Sequence, residues 1–206
     1  LKNLFGLYQP LSGDVLIEGQ NITTAQGAER QHIMTSFGVM YQQGALFGSM
    51  NLLENVTLFM QEYTQLTQTQ MDLLARCKLD LVGLLPYESY MPSEISGGMQ
   101  KRAAIARAMA LNPRILFLDE PSAGLDPITS ADLDQTIMDL SKNLGITFVI
   151  VSHELASIYA IADKVIMLDK AAKGIIAEGD PKVLRDTSTD PRVHQFFNRI
   201  MSKDAA

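Results

Sequence analysis

The chain has 206 residues, 47% of them hydrophobic and 19% charged, which is the balance of a folded globular protein and excludes a disordered one. Its formal net charge of −6 argues against nucleic-acid binding, because phosphate contacts require clustered Lys and Arg. The single cysteine, Cys77, excludes a disulfide within the chain, and no apolar run approaches the roughly 20 residues that span a bilayer. Any membrane association therefore has to run through a partner.

The first segment has a helical spacing of apolar side chains, at Leu1, Leu4, Phe5 and Tyr8. No Ser, Thr, Asp or Asn precedes them as an N-cap, so the pattern predicts a helix entered partway along and a natural chain that starts upstream. Turn residues at 12–14 lead into a short predicted strand at residues 15–17, which Gly19 closes. A second strand is predicted at residues 37–41.

Residues 44 to about 113 carry little strand signal and are dominated by helical patterns. Helices are predicted at residues 51–63, 71–82 and 101–110, with a loop containing Pro and Ser at 86–93. We therefore expect an all-helical subdomain that is inserted between two parts of an α/β core.

Three continuous apolar runs predict buried parallel strands, at residues 115–118, 147–151 and 164–168. Helical patterns at residues 130–144 and 154–162 separate them, which implies right-handed crossovers in an α/β layer architecture. Strands and helices thus alternate over this part of the chain.

The end of the chain is predicted to form a hairpin of residues 165–168 with 174–177, followed by a helix over residues 183–201. The patterns together predict three parts, namely an N-terminal part of the core at 1–43, a helical subdomain at 44–113 and a C-terminal part of the core at 114–206.

Two acidic residues, Asp119 and Glu120, directly follow the predicted strand at 115–118. Ligands of α/β sheets bind at the carboxyl ends of strands, so this pair is a candidate site. Asp119 suits Mg²⁺, directly or through water, because this hard cation prefers oxygen ligands and retains several waters. Glu120 is in a position to polarise an attacking water. The alternative is that both side chains only cap the next turn.

A Ser-Gly-Gly turn, Ser96-Gly97-Gly98, opens the Ala-rich helix predicted at 101–110. Such a turn presents free backbone N–H groups and the positive end of the helix dipole to an anion. It serves equally well as an ordinary helix N-cap, where Ser is favoured.

Two further polar residues, Gln42 and His153, each follow a predicted strand. The Gln42 amide suits Mg²⁺ or an attacking water, and the His153 imidazole suits a phosphoryl oxygen or a water. Taken singly, each is as readily an ordinary loop residue.

The order of these elements resembles the nucleotide site of ABC transporter ATPases. Gln42, Ser96-Gly97-Gly98, Asp119-Glu120, Ser122-Ala123-Gly124-Leu125-Asp126 and His153 follow one another as the site elements of that family do, with similar spacing. The resemblance covers essentially the whole chain. It implies a P-loop NTPase-like α/β fold, in which a mostly parallel sheet is joined by an all-helical subdomain.

The resemblance also implies roles in ATP- and Mg²⁺-dependent hydrolysis. Asp119 is implied to bind Mg²⁺, and Glu120 to be the catalytic base or the carboxylate that orients water. His153 is implied to be the switch histidine that faces the γ-phosphate. Gln42 is implied to contact Mg²⁺ and to sense the transported load.

Partners follow from the same resemblance. Ser96, Gly97 and Gly98, the family's signature residues, are implied to close on the ATP of a second copy in a homodimer, with Asp126 at the interface. An integral membrane permease is implied to dock beside Gln42. The family pattern places such an ATPase on the cytoplasmic face of the bacterial inner membrane as a peripheral subunit, without a nucleic-acid partner.

Two features depart from the family pattern. Residues 1–206 contain no G-x-x-x-x-G-K-[ST] phosphate loop, and residues 1–8 resemble the helix that follows such a loop. The signature reads Ile-Ser-Gly-Gly-Met, where many members have Leu-Ser-Gly-Gly-Gln.

The first departure leads us to expect that residues 1–206 alone neither bind ATP tightly nor hydrolyse it, because most donors to the phosphates come from that loop. Calorimetry with this chain at micromolar ATP is expected to show no saturable binding. Tight, Mg²⁺-dependent binding in that titration would contradict the expectation.

In the second departure the sequence resembles the ATPases of MCE-domain lipid transporters, the Mla-type phospholipid systems. Shared features are Ser-Gly-Gly-Met before Lys101-Arg102, Gly44-Ala45-Leu46-Phe47 after Gln42, Asp126-Pro127-Ile128-Thr129 and Asp190-Pro191-Arg192-Val193. The resemblance implies lipid transport, with an MCE-domain lipid-binding protein as a further partner.

Three alternatives stand beside this one. An importer ATPase for a small solute such as an amino acid has the same motifs. A non-transport ABC ATPase, acting in DNA repair or translation, is disfavoured because this sequence shows no second nucleotide domain, long coiled coil or basic extension. An inactive binding module is disfavoured by Glu120 and His153, which such a module has no chemical need to keep.

An apolar cluster follows Gln42 and is made of Ala45, Leu46, Phe47, Met50, Leu52 and Leu53. It is too apolar for a solvated loop, and exposed apolar patches commonly mark protein contacts. We therefore predict that it forms a docking surface for the permease. The alternative is that Leu46 and Phe47 belong to the core of the helical subdomain.

Overall fold

The computed structural model describes residues 1–199 of the chain. Its contacts divide the chain into two compact units, Leu1–Ser152 and a second one that begins at His153. Within the described residues, no helix is both long and apolar enough to cross a membrane. The three-part division made from sequence patterns stays a prediction.

The chain begins with one helical turn, so the helix predicted from Leu1 to Tyr8 is wrong. The N–H of Gly6 donates to the Asn3 carbonyl at 3.2 Å, and the N–H of Leu7 donates to the Lys2 carbonyl at 2.9 Å. These two bonds close a helical turn, and Gly6 takes the left-handed φ of +74° that the closure needs.

A short hairpin and a helix come next. β1 (Leu16–Ile17) pairs antiparallel with β2 (Gln20–Asn21), and α1 (Gly27–Thr35) leads into β3 (Phe37–Met40). β1 and β3 confirm the strands predicted in this region. α1 was not predictable from periodicity, because Ile33 is its only buried residue.

Three helices fill the segment after β3, which confirms the predicted all-helical region. They are α2 (Leu52–Tyr63), α3 (Gln68–Leu81) and α4 (Gly97–Ala108), and the loop before α4 contains two short 3₁₀ turns. Asn51 caps α2 and Thr67 caps α3, each in a capping box. α4 starts earlier than predicted because Ser96 caps it.

The core of the first unit is a parallel sheet of three strands. β4 (Ile115–Asp119) lies between β3 and β5 (Thr147–Val151), and both of these pairings are parallel. α5 (Pro127–Leu144) connects β4 to β5. Its sequence predicts one apolar face of Leu133, Ile137, Leu140 and Leu144, of which the first three are buried and Leu144, the last residue of the helix, is 45% exposed. The first two of the three predicted strands are thus confirmed as parallel, although no residue of β5 is fully buried.

α4 packs against β3 at a glycine. A Cβ added to Gly38 would lie 2.1 Å from the backbone oxygen of Ala108 and 2.4 Å from a methyl of Leu116. Only glycine allows this approach, because the neighbouring atom is backbone and has little freedom to move. The close contact holds the last turn of α4 against the sheet that carries the candidate carboxylates.

The second unit, as far as residue 199, consists of three helices and a hairpin. In chain order they are α6 (Leu155–Ile161), β6 (Val165–Asp169), β7 (Gly174–Gly179), α7 (Pro181–Thr187) and α8 (Pro191–Asn198). Leu155, Ile158, Val193 and Phe197 form its core. α6 and the hairpin confirm the sequence predictions.

Two other predictions for this unit are wrong. The strand assigned to the parallel sheet at 164–168 is β6, which pairs antiparallel with β7 and alternates between partly buried and exposed side chains. The single helix predicted over 183–201 is two helices, because Asp190 caps α8 and Pro191 occupies its first turn. Residues 200 and 201 of that prediction lie outside the described residues.

Candidate functional site

Asp119 and Glu120 lie at the carboxyl end of the central strand, β4. Asp119 is opposite Val151 in the register of β4 and β5, and the N–H of Glu120 donates to the Val151 carbonyl at 2.9 Å. Because the three strands are parallel, their carboxyl ends share one edge of the sheet, where α/β folds bind ligands. Both side chains are only partly buried, so this edge is open to solvent.

The backbone of Glu120 has an unusual conformation. Its φ of +48° lies in the left-handed region, which few residues other than glycine adopt. The Glu120 carbonyl accepts a hydrogen bond from the N–H of Ala123 at 3.2 Å, which closes the turn after the strand. Strained backbone of this kind clusters at active sites, which supports Glu120 as a residue of the candidate site.

An open cleft of about 360 Å³ adjoins Asp119. It is lined by Leu1, Lys2, Asn3, Tyr8, Asp119 and Val151. Among the residues that the structure describes, no group of three His, Cys, Asp or Glu side chains converges as a protein-only metal cage. Mg²⁺ does not need one, since it is commonly held by one or two carboxylates together with water and phosphate oxygens. A partly exposed carboxylate facing a cleft of this size therefore fits a Mg²⁺–nucleotide site.

Gln42 joins this edge through a buried lysine of α4. It lies two residues beyond Met40, the last residue of β3, and its side chain is exposed. The Nζ of Lys101 donates to its backbone carbonyl. Burial lowers the pKa of Lys101, and attraction to the charge of Glu120 partly offsets this effect. The structure thus brings Gln42 and Glu120 to the same lysine, whose role the sequence did not reveal.

The signature residues open α4. The Ser96 hydroxyl accepts a hydrogen bond from the N–H of Met99 at 3.3 Å, so this serine caps the helix. Gly97 and Gly98 form the first turn, where backbone N–H groups have no partner within the helix. The ordinary capping role and the anion-binding role are therefore compatible at this turn.

Gly98 also packs against the start of α5. A Cβ on Gly98 would lie 2.3 Å from Cγ2 of Thr129, and one on Gly97 would lie 3.7 Å from a methyl of Leu125. The signature turn is therefore in direct contact with the segment that follows the candidate carboxylates in the chain.

Asp126 uses its carboxylate within its own chain. One oxygen accepts from the N–H groups of Ile128 (3.0 Å) and Thr129 (3.1 Å), and the other accepts from the Thr129 hydroxyl at 2.5 Å. The hydroxyl bond is the main reason that the pKa of Asp126 lies below its ordinary value. Asp126 is thus the N-cap of α5, and its predicted place at a dimer interface stays a prediction.

The contact between Gly98 and Thr129 predicts the outcome of a mutational pair. Gly98→Ala is expected to destabilise the protein by about 1 to 3 kcal/mol, because the added methyl overlaps the Thr129 methyl. Thr129→Ser removes that methyl and keeps the hydroxyl bond to Asp126, so it should restore much of the lost stability. Chemical denaturation of both single variants and the double variant measures the coupling. Purely additive effects would contradict the contact.

His153 is the first residue of the second unit and follows β5 after Ser152. It is exposed and lies next to Glu154, the N-cap of α6. Its predicted role at the γ-phosphate stays a prediction.

Comparison with known proteins places the chain in a family. A sequence model described as "ABC transporter" matches residues 1–123, more than half of the chain. The chain belongs to the ABC transporter family. The resemblance inferred from the order of the motifs is confirmed by this match.

Curated relatives match over almost the whole chain. The probable ribonucleotide transport ATP-binding protein mkl of Mycobacterium leprae (strain TN) is 42% identical over 198 residues, which cover 96% of this chain and 56% of that protein. The intermembrane phospholipid transport system ATP-binding protein MlaF of Escherichia coli (strain K12) is 39% identical over 200 residues, or 97% of this chain and 73% of MlaF. The chain therefore spans little more than half the length of mkl.

Solved structures confirm the predicted α/β fold class. The dimeric structure of MJ0796, a bacterial ABC transporter cassette, has a TM-score of 0.76 at 27% identity over 87% of this chain and 78% of the cassette. The structure of cbiO1 from Clostridium perfringens, part of the ABC transporter complex cbiONQ, has a TM-score of 0.79 at 25% identity over 96% of this chain and 80% of cbiO1.

Proposed function

We propose that the full-length protein binds and hydrolyses ATP as the motor subunit of an ABC transporter, and that it powers lipid transport across the cell envelope. The observation that carries the proposal is the adjacent pair Asp119 and Glu120 at the open carboxyl end of the central strand. Family membership supports the same conclusion, since this edge is where such a fold binds its nucleotide.

Hydrolysis of ATP is phosphoryl transfer to water, in which positioning and charge stabilisation do most of the catalytic work. Asp119 would hold Mg²⁺, directly or through water, and Mg²⁺ supplies charge neutralisation at the phosphates. Glu120 would be the catalytic base that accepts a proton from the attacking water, or the carboxylate that orients this water. Gln42 would offer its amide oxygen to the same cation, and the family resemblance gives His153 the role of the switch histidine for the γ-phosphate.

The signature turn, Ser96-Gly97-Gly98, acts on the nucleotide of a second copy in a homodimer. Three features support this role: the unpaired N–H groups of its first turn, the exposure of Ser96, and the dimeric state of MJ0796. A related structure of that cassette is described as a post-hydrolysis dimer with ADP and Pi. Asp126 would lie near the same interface. Its carboxylate accepts a hydrogen bond from the Thr129 hydroxyl of its own chain and so stabilises the first turn of α5.

An integral membrane permease docks on the apolar cluster after Gln42. Phe47 is 45% exposed and Ala45 is exposed, whereas Leu52 is fully buried and belongs to the core of the helical region. Exposed apolar patches commonly mark protein contacts, and Phe47 is the exposed aromatic residue of this apolar cluster. The ATPase is then held at the cytoplasmic face of the bacterial inner membrane as a peripheral subunit.

The lipid substrate is proposed from the named relatives and the shared motifs. MlaF is described as part of an intermembrane phospholipid transport system, whereas mkl is described as a ribonucleotide transport protein. The Mla-like features of the signature and of residues 126–129 favour the phospholipid, with an MCE-domain protein as a further partner. A small-solute importer is the second candidate.

The experiment uses the full-length protein purified with its permease. We expect Mg²⁺-dependent ATP hydrolysis, and we expect mass spectrometry of the complex to find bound phospholipid that exchanges only when ATP is hydrolysed. Hydrolysis without lipid exchange would contradict the lipid proposal and favour a small solute. Absence of Mg²⁺-dependent hydrolysis would contradict the ATPase proposal itself.

A further inference from the structure

Two buried cations of α4 hold the backbone of the glutamine segment, which we define as residues 42–47. The Nζ of Lys101 donates to the Gln42 carbonyl. The guanidinium of Arg107 donates to the carbonyls of Ala45 and Gly44, the second at 2.9 Å. Lys101 and Arg107 are only 8% and 6% exposed, so these bonds replace the water that each cation would otherwise bind.

Arg107 also contacts two aromatic rings. The guanidinium carbon lies 5.8 Å from the centre of the Phe47 ring and 5.9 Å from that of Phe59. Aromatic faces and carbonyl oxygens together stabilise a buried cation, and the fork of the guanidinium fits two carbonyls at once. Phe47 is therefore fixed both through its backbone neighbours and through its ring.

The glutamine segment is bent where Arg107 holds it. Gly44 and Ala45 have left-handed φ values of +73° and +52°, and the second is uncommon for a residue with a side chain. A Cβ on Gly44 would lie 3.3 Å from that of Ala104, so the bend rests on α4 itself. The hydrogen bonds of Arg107 stabilise a conformation that the sequence of the segment does not favour by itself.

We propose that Arg107 is a positioning residue that joins the glutamine segment, on which the permease is proposed to dock, to α4, the helix that the signature turn opens. Because Ser96 caps the same helix, a displacement of Phe47 by the permease moves the signature turn with it. Lys101 adds a second attachment at Gln42. This inference rests on the proposed function, which supplies the permease and the nucleotide.

The test compares full-length variants by amide hydrogen exchange and by ATP turnover. Arg107→Met is expected to raise exchange of the amides of residues 43–50 about tenfold or more, since the bend loses its carbonyl partners. It is also expected to lower the stimulation of turnover by the permease about tenfold, relative to basal turnover. A merely structural residue would not shift that ratio.

Three further variants make the result specific. Arg102→Met is the matched control, because Arg102 lies on the same helix but donates to the Val82 carbonyl at 3.3 Å, outside the glutamine segment. It should change neither readout. Arg107→Lys keeps a charge without the fork and should fall between wild type and Arg107→Met. If Arg107→Met does not fold, Lys101→Met tests the second attachment, with raised exchange at residues 42–44.

The outcomes separate the two proposals. Unchanged exchange of residues 43–50 in folded Arg107→Met, or an equal rise in Arg102→Met, overturns the positioning role. Raised exchange with undiminished stimulation by the permease overturns the coupling. A wild-type protein that the permease does not stimulate contradicts the proposed function instead, and the exchange measurement, which needs neither ATP nor permease, still decides the role of Arg107.

Discussion

Replacing Glu120 with glutamine in the full-length protein is expected to preserve ATP binding and to lower turnover by about 10² to 10⁴. This corresponds to about 3 to 5 kcal/mol of lost transition-state stabilisation. The amide keeps the shape of the carboxylate, so the turn after β4 and the contacts of Asp119 are retained. What is lost is the ability to accept a proton from the attacking water.

Steady-state turnover and equilibrium binding of ATP, measured on the same preparation, separate the two effects. Glu62→Gln is the matched control, because Glu62 is an exposed carboxylate on α2 and should leave both quantities unchanged. Turnover of Glu120→Gln within a few-fold of wild type would remove Glu120 from its proposed role.

Replacing Phe47 with aspartate is expected to leave the protein folded and to abolish its association with the permease. The ring is 45% exposed, and the fold is anchored at this position by the backbone, whose N–H donates to Asn55 Oδ1 at 2.8 Å. Asn55 is fully buried and also donates to the Phe47 carbonyl, and both bonds survive the substitution. The new carboxylate faces Arg107, which offers it a partner rather than an apolar cavity.

Thermal unfolding set beside co-purification with the permease tests this prediction. A substitution at the surface changes stability by only about 0.5 kcal/mol, whereas a buried unpaired charge costs several. At about 3 kcal/mol the melting temperature would fall by roughly 6 to 12 °C, and such a fall would show that Phe47 belongs to the core. Leu73→Asp, at a 62% exposed position on α3, is the control and should retain the permease.

Much of the fold was predictable because its central elements have strong local signals. β4 and β5 are continuous apolar runs, which is the pattern of strands in a parallel sheet; β4 is buried along its middle, whereas the residues of β5 are only partly buried or exposed. The capping boxes at Asn51 and Thr67 fix the starts of α2 and α3 within the chain itself. Each of these signals is contained in a few neighbouring residues.

The predictions of secondary structure were wrong where the conformation of a segment is decided by something other than its apolar pattern. The run at 164–168 is as apolar as β4, so its pattern suited the parallel sheet as well as the predicted hairpin, and only its antiparallel pairing with β7 decides between the two assignments. The first turn has helical spacing, yet Gly6 ends it before the apolar pattern is complete. At the other end, Asp190 and Pro191 start a new helix within a pattern that is periodic enough to predict one.

In the candidate site, too, contacts between residues that are distant in the sequence could not be predicted. The order of its motifs made Asp119, Glu120 and the signature turn candidates, because each motif is contained in a few neighbouring residues. The contact of Lys101 with Gln42 spans 59 residues of sequence, and nothing near either residue signals it. A charged residue within an Ala-rich helix looks like a solvent-exposed one until the fold buries it.

The contact between Gly98 and Thr129 has a consequence for exchanging parts between relatives. The methyl of Thr129 fills the space that a side chain at position 98 would need, so the two positions limit each other's size. A chimera that receives the signature turn of another cassette inherits a surface shaped for that donor's residue at the start of α5. Residue 129 therefore has to be transplanted together with residues 95–100, although 28 residues of the recipient lie between them.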